Sequence, residues 1–238
     1  FARYEDNTTK TGTIFQNDSY EWETKFRIQA TQYGDQWKWS TGVNVQNSSY
    51  QNNTRFLYYD IAYNTDVNFV KYGLVLKASR AFLNDRLDFS WGIRSDADSF
   101  SEGSSLLDNI SPRLSFSYAL TENQRWKLNA SAGRYFKIPT YTMLGFQNQQ
   151  GIFANQQAAY TRSDHWVGGI EYNLTPASRF TVEGFRKNYA NYPVSVIDGV
   201  SLANKGGGFE VLGNEAIRSE GEGQSSGVEV LFQQKLSN

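Results

Sequence analysis

The chain has no cysteine, one histidine (His165), one methionine (Met143) and only four prolines in 238 residues. Without cysteine there is no disulfide framework, no thiolate metal site and no cysteine nucleophile. A single histidine leaves no second imidazole with which to build a histidine metal centre. Charge of either sign is not in excess: 23 Lys+Arg stand against 24 Asp+Glu, a formal net charge of -1. That excludes the basic stripe that nucleic acid binding requires. No apolar run approaches the ~18–20 residues of a membrane-spanning helix. The opening Phe1-Ala2-Arg3-Tyr4 has neither the basic start nor the apolar stretch of a secretory signal, and reads as a mature or excised segment. The length admits one large all-β domain or two smaller ones.

What the chain does have is aromatic side chains: 6 Trp, 15 Tyr and 16 Phe, 16% of the residues, within a mean hydropathy of -0.59. They fall into period-2 alternation. Leu87, Phe89, Trp91 and Ile93 alternate with Asp88, Ser90, Gly92 and Arg94. Leu114, Phe116 and Tyr118 alternate with Arg113, Ser115 and Ser117, and Trp126, Leu128, Ala130 and Ala132 with Lys127, Asn129 and Ser131. Weaker copies cover 20–32, 36–47, 67–82, 163–174, 179–194 and 220–236. A strand points successive side chains to opposite faces, so each segment has one wet and one apolar face. This predicts nine strands of roughly 10–17 residues, long beside the ~5–6 of soluble proteins and sufficient for the ~9–11 that a tilted membrane strand needs.

The connections alternate too. Short turns at Gly34-Asp35, Asn84-Asp85, Thr121–Gln124 and Thr175–Ser178 are separated by long polar stretches at 48–66, 97–110, 138–162 and 197–219. A membrane barrel has this rhythm of short turns on one side and long loops on the other, which a Greek-key sandwich lacks. All six tryptophans have apolar parity, and Trp37, Trp39 and Trp126 sit near short turns, where an interfacial aromatic girdle belongs. The expected fold is an all-β, antiparallel transmembrane β-barrel segment, one partial domain over 1–238. Nine crossings is an odd number and bacterial barrels close with an even one, so both ends are expected to be cuts within a larger barrel. Phe1–Tyr4 is expected to be the tail of an earlier strand running into a loop at 5–19. A soluble β-sandwich binding module with a tryptophan core is the alternative.

Few residues suggest chemistry. His165 beside Asp164 could activate a nucleophile or water; the plainer reading is a polar side chain facing the barrel lumen. Asp96, Asp98, Glu102 and Asp108 could gather around calcium, but they lack the glycine-centred spacing of a calcium loop. Lys205-Gly206-Gly207-Gly208 lacks the strand and helix flanks of a phosphate loop. The better ligand candidates are loop aromatics among amides: Tyr58 and Tyr59 in one loop, and Tyr141, Phe146, Phe153 and Tyr160 in another. Such rings stack on a sugar, peptide or metal chelate, or else pack the loop onto its neighbours.

Ile110-Ser111-Pro112-Arg113-Leu114-Ser115-Phe116-Ser117-Tyr118 resembles a barrel strand of TonB-dependent outer-membrane receptors, as does Ala132–Thr140, a strand ending in a proline that opens an external loop. Ser163–Tyr172 with Phe180–Tyr189 is similar to a later hairpin of that family, of the type found in Bacteroidetes, and Gly227–Val230 to the strand after it. The resemblance covers about residues 65–236. It implies a barrel of about 22 strands filled by a plug, residence in the bacterial outer membrane, contact with its lipid, and uptake of a small nutrient ligand. It also implies energising by TonB through a plug domain that these residues do not include, and a surface lipoprotein partner. Neither enzymatic activity nor a cofactor is implied. A passive porin or structural barrel, and an outer-membrane hydrolase, are the competing functions.

Overall fold

The computed structural model describes residues 2–9, 15–56, 61–205 and 212–235. They form one antiparallel sheet of ten strands in unbroken chain order. The strands are β1 (Ala2–Thr9), β2 (Phe15–Tyr33), β3 (Lys38–Phe56), β4 (Ile61–Phe82), β5 (Leu87–Asp98), β6 (Ile110–Ala119), β7 (Trp126–Lys137), β8 (Thr161–Thr175), β9 (Ser178–Ser195) and β10 (Ile217–Gln234). One helical turn, α1 (Tyr141–Leu144), lies between β7 and β8. Four short turns close one end of this meander. The turn between β4 and β5 places Leu83, Asn84 and Asp85 in succession at φ of 54–62°, a left-handed conformation that Asn and Asp tolerate better than most residues.

Two stretches differ from expectation. Most of 48–66 is strand, not loop: β3 continues to Phe56 and β4 starts at Ile61, in register from Lys38↔Ser79 to Phe56↔Ile61. Likewise 5–19 is mostly strand, since β1 runs to Thr9 and pairs with β2 from Ala2↔Glu23 to Thr9↔Gln16. This supplies the tenth strand. The physical reason is the same in both places. β4 is 22 residues long, about twice the ~9–11 needed to cross a bilayer, so its outer half stands beyond the lipid. There Asn, Ser, Gln and Thr occupy both faces and the alternation disappears, while the backbone ladder continues.

Below that height the two faces separate cleanly. The register brings Ile28, Val43 and Leu74 side by side on one face, and Phe26, Val45 and Tyr72 on the next row. The face continues through the half-buried Trp91 and through Leu114, Trp166, Ile170, Val182 and Val230, large apolar side chains exposed in this chain. At the short-turn end the band closes in aromatic contacts. Trp39 meets Trp91 edge-on at 5.8 Å, Trp37 meets Phe82 at 6.1 Å and Phe89 at 6.5 Å, and Trp126 lies 4.4 Å from Tyr172. The Arg80 guanidinium sits over the rings of Trp37 and Phe82. This is the amphipathic girdle that headgroup depth favours.

The opposite face is polar and looks into the concavity. Ser90 and Ser115 share a hydrogen bond across β5 and β6 at 2.7 Å. The small buried core, Tyr50, Val67, Phe69, Tyr141 and Leu144, lies on this inner side near the long connections. The two faces make opposite demands on a charge. Leu76→Arg, near the middle of the outer band, is expected to destabilise the folded barrel by about 2–4 kcal/mol, whereas Ser115→Arg on the inner face should cost under about 1 kcal/mol. Urea unfolding in phospholipid bilayers measures both, and equal costs would contradict the facing.

Candidate functional site

The inner faces of β2, β3 and β4 are brought together by register: Glu23 pairs with Ser48, and Gln46 with Lys71. These four side chains form a polar recess that no local sequence feature announces. The β7–β8 connection crosses the concavity and puts Tyr141 into it. The Tyr141 hydroxyl donates to Glu23 Oε1 at 2.5 Å, accepts from Lys71 Nζ, and lies 3.1 Å from Ser48 Oγ. Glu23 also faces Lys25 at 2.6 Å and Lys71 at 3.2 Å, so its charge is compensated from both flanks. The Tyr141 ring packs edge-on against Phe69 at 5.3 Å, with the Lys71 ammonium 4.8 Å from its centroid. Burial, together with Glu23, holds the Tyr141 hydroxyl above the ordinary tyrosine range, so it stays protonated and available to donate.

Further contacts seat the rest of the turn. Thr142 Oγ1 and Tyr50 Oη are 3.2 Å apart, and Thr65 donates to the Gly145 carbonyl. A Cβ at Gly145 would lie 2.7 Å from Thr65 Oγ1, which explains glycine at that point.

Two more anchors complete the cap. Asp98, buried at the end of β5, accepts from the backbone N–H groups of Phe100 (2.8 Å) and Ser101 (2.6 Å), from Ser104 Oγ (3.3 Å) and from Tyr160 Oη (2.9 Å). It thus ties the β5–β6 connection to the end of the β7–β8 connection. Burial and the Asp98 carboxylate raise the Tyr160 hydroxyl well above its usual range. Asn155, fully enclosed, donates to the carbonyls of Met143 (2.7 Å) and Glu215 (2.9 Å) and accepts from Ile217 N–H (2.9 Å). Lys205 then bridges Glu215 and Asp198, both at 2.9 Å. Three long connections are therefore joined over the inner side of the sheet. Asn214 even reaches Thr54 of β3 at 3.4 Å.

The loop aromatics expected to meet a ligand divide three ways. Tyr141 and Tyr160 are buried and their hydroxyls are occupied as cap anchors. Phe146, 5.8 Å from Tyr63, and Phe153, 5.0 Å from Phe100, are half-buried. Tyr58 and Tyr59 lie outside the described residues, as does most of the Lys205–Gly208 run. His165 faces inward, 2.6 Å from Ser163 Oγ and tilted against the Tyr135 ring at 4.6 Å. Asp164 points to the other face and is held by Arg134 at 2.7 Å, so the two residues are not a catalytic pair. The carboxylates near 96–108 each have a separate partner. Asp96 takes Arg94 at 2.6 Å, Glu102 takes Gln157 at 2.9 Å and Asp108 takes the Ser105 N–H at 3.0 Å. Among the described residues no three His, Cys, Asp or Glu are grouped to hold a metal.

Glu23, Gln46, Ser48 and Lys71 are the residues that sequence reasoning did not single out. Their only local signal is polar parity, shared with most inner-facing residues.

This architecture has solved counterparts. The chain is similar to the copper transporter OprC (TM-score 0.62, 13% identity, covering 94% of this chain and 37% of that one). It is also similar to the siderophore receptor PirA from Pseudomonas aeruginosa (0.61, 15%, 96% and 39%). A third counterpart is the ferric enterobactin receptor PfeA from the same organism (0.62, 16%, 90% and 33%). The chain thus spans well under half the length of each. No curated protein matches it by sequence. The model of the family described as "TonB dependent receptor-like, beta-barrel" matches residues 1–237, and the chain therefore belongs to that family of bacterial outer-membrane barrels.

Proposed function

We propose that this chain forms part of the barrel wall of an active importer that takes a small nutrient ligand across the outer membrane. The carrying observation is the inner face: a polar wall closed on the long-loop side by a jointed cap with Tyr141, Asn155 and Asp98 as its fasteners. A covered lumen fits gated uptake better than an open, water-filled channel. Family membership and the copper and siderophore proteins among its structural relatives make a metal chelate the first ligand class to try, with sugars and peptides next. On this reading TonB supplies energy through a plug, and a surface lipoprotein of the Bacteroidetes type assists capture. Phe146, Phe153, Tyr58 and Tyr59 contact the ligand, and Tyr141 and Tyr160 join them once the cap opens.

The test is uptake of ferric enterobactin, copper and a small oligosaccharide by cells producing the protein, with and without TonB. Import should vanish without TonB. Equal uptake in both strains would identify a passive pore instead.

A further inference from the structure

The outer face of β7–β10 carries a depression in an otherwise bulky apolar band. Register places Phe116, Ala130, Gly168, Gly184 and Val228 in one row across five strands. The three small residues between Phe116 and Val228 leave a groove of about 790 Å³, walled on one side by Trp166. Neither glycine is imposed by its surroundings. A Cβ at Gly168 would meet nothing within 4 Å, and one at Gly184 only the Gly168 carbonyl at 4.0 Å. Gly169, on the inner face of the same strand, differs, because a Cβ there would come within 2.6 Å of Val182 O and Glu183 Cγ. The outward glycines therefore leave room facing lipid that the fold does not need to leave.

Beyond the groove, toward the long loops, the same face becomes cationic. Arg186 follows Gly184 on β9, Arg134 follows Ala132 on β7, and Arg162 stands beyond Trp166 on β8. One carboxylate, Asp164, serves Arg134 at 2.7 Å and Arg162 at 3.5 Å. Among the described residues Arg186 has none: it is held by the neutral amides of Gln224 at 3.0 Å and Asn188 at 3.3 Å. The nearest further acid on this face is Glu222, two positions past Gln224. Arg186 is eight residues from Ser178 at the short-turn end. At ~3.3 Å per residue and a tilt near 40° that is roughly 20 Å up a band of about 25 Å. The long-loop side of such barrels faces outward, so Arg186 lies at outer-leaflet depth.

We propose that this groove is a binding site for one outer-leaflet lipid with a phosphorylated headgroup. An acyl chain would lie along Ala130, Gly168 and Gly184, and the phosphate would be held by Arg186 with Arg134 alongside. A guanidinium offers a phosphate two parallel N–H donors, and the adjacent apolar face lowers competition from water. The site is on the outside of the barrel and is independent of any ligand passing through it.

The experiment is native mass spectrometry of the full-length protein extracted from outer membranes, delipidated and titrated with purified diphosphorylated lipid A or its dephosphorylated form. The phosphorylated lipid should be retained about tenfold more strongly. Arg186→Gln should remove that preference, Arg186→Lys should keep part of it, and Gly184→Leu should abolish retention by filling the groove. Heat-modifiable mobility reports whether each variant is folded; if Arg186→Gln is not, Arg186→Lys and Gly184→Leu carry the test. Equal retention of both lipids, no effect of Gly184→Leu, or a second copy of the protein released by Gly184→Leu would each overturn the proposal.

Discussion

Replacing Tyr141 by alanine is expected to undock the cap at a cost of about 3–5 kcal/mol, the range for deleting a buried aromatic side chain. The ring is lost from between Phe69 and Tyr50, and Glu23 loses its 2.5 Å donor. Tyr141→Phe separates the two contributions. It keeps the ring and removes only the hydroxyl, at about 1.5–3 kcal/mol for a hydrogen bond to a charged group. Hydrogen exchange should show residues 141–145 losing protection in both variants, more in Tyr141→Ala, while β4 keeps its own. Unchanged exchange in Tyr141→Ala would mean that the recess does not hold the cap.

Asp98→Ala is expected to act at the second fastener with a similar magnitude, about 3–5 kcal/mol. One buried carboxylate, 2% exposed, satisfies two backbone N–H groups, a serine and Tyr160. Its removal orphans several buried donors at roughly 1–3 kcal/mol each, partly relieved by water. The β5–β6 and β7–β8 connections contain no Lys or Arg, so trypsin is uninformative there. Proteinase K on intact cells should instead cut the variant at 99–109 and 138–160 and spare the parent. Resistance equal to the parent's would show that other contacts suffice. Tyr160→Phe, which leaves the backbone partners of Asp98 in place, should cost only about 1.5–3 kcal/mol.

The barrel was legible wherever the two faces of a strand meet different solvents. Leu87–Arg94 and Trp126–Ala132 alternate because lipid lies on one side and water on the other, and their strands are β5 and β7 as read. Where neither side meets lipid the alternation carries no signal. For that reason 48–56 and 61–66 resembled loop, and β1 was missed beyond Tyr4. The connections at 97–110, 138–162 and 197–219 were legible from Gly, Asn, Ser and Pro, but not what they do. Tyr141 and Tyr160 stood out as loop aromatics, yet their partners lie 118 and 62 residues away in the chain.

The amino-acid sequence by itself determined the fold class and the facing of the transmembrane strands, because period-2 patterning is a local record of which solvent each side chain meets. Only the tertiary structure decided the recess of Glu23, Gln46, Ser48 and Lys71, the joining of three connections into one cap, and the cationic groove over β7–β10. Each depends on strand register and on a loop crossing the concavity. These are non-local closures whose energetic return appears only when distant segments meet.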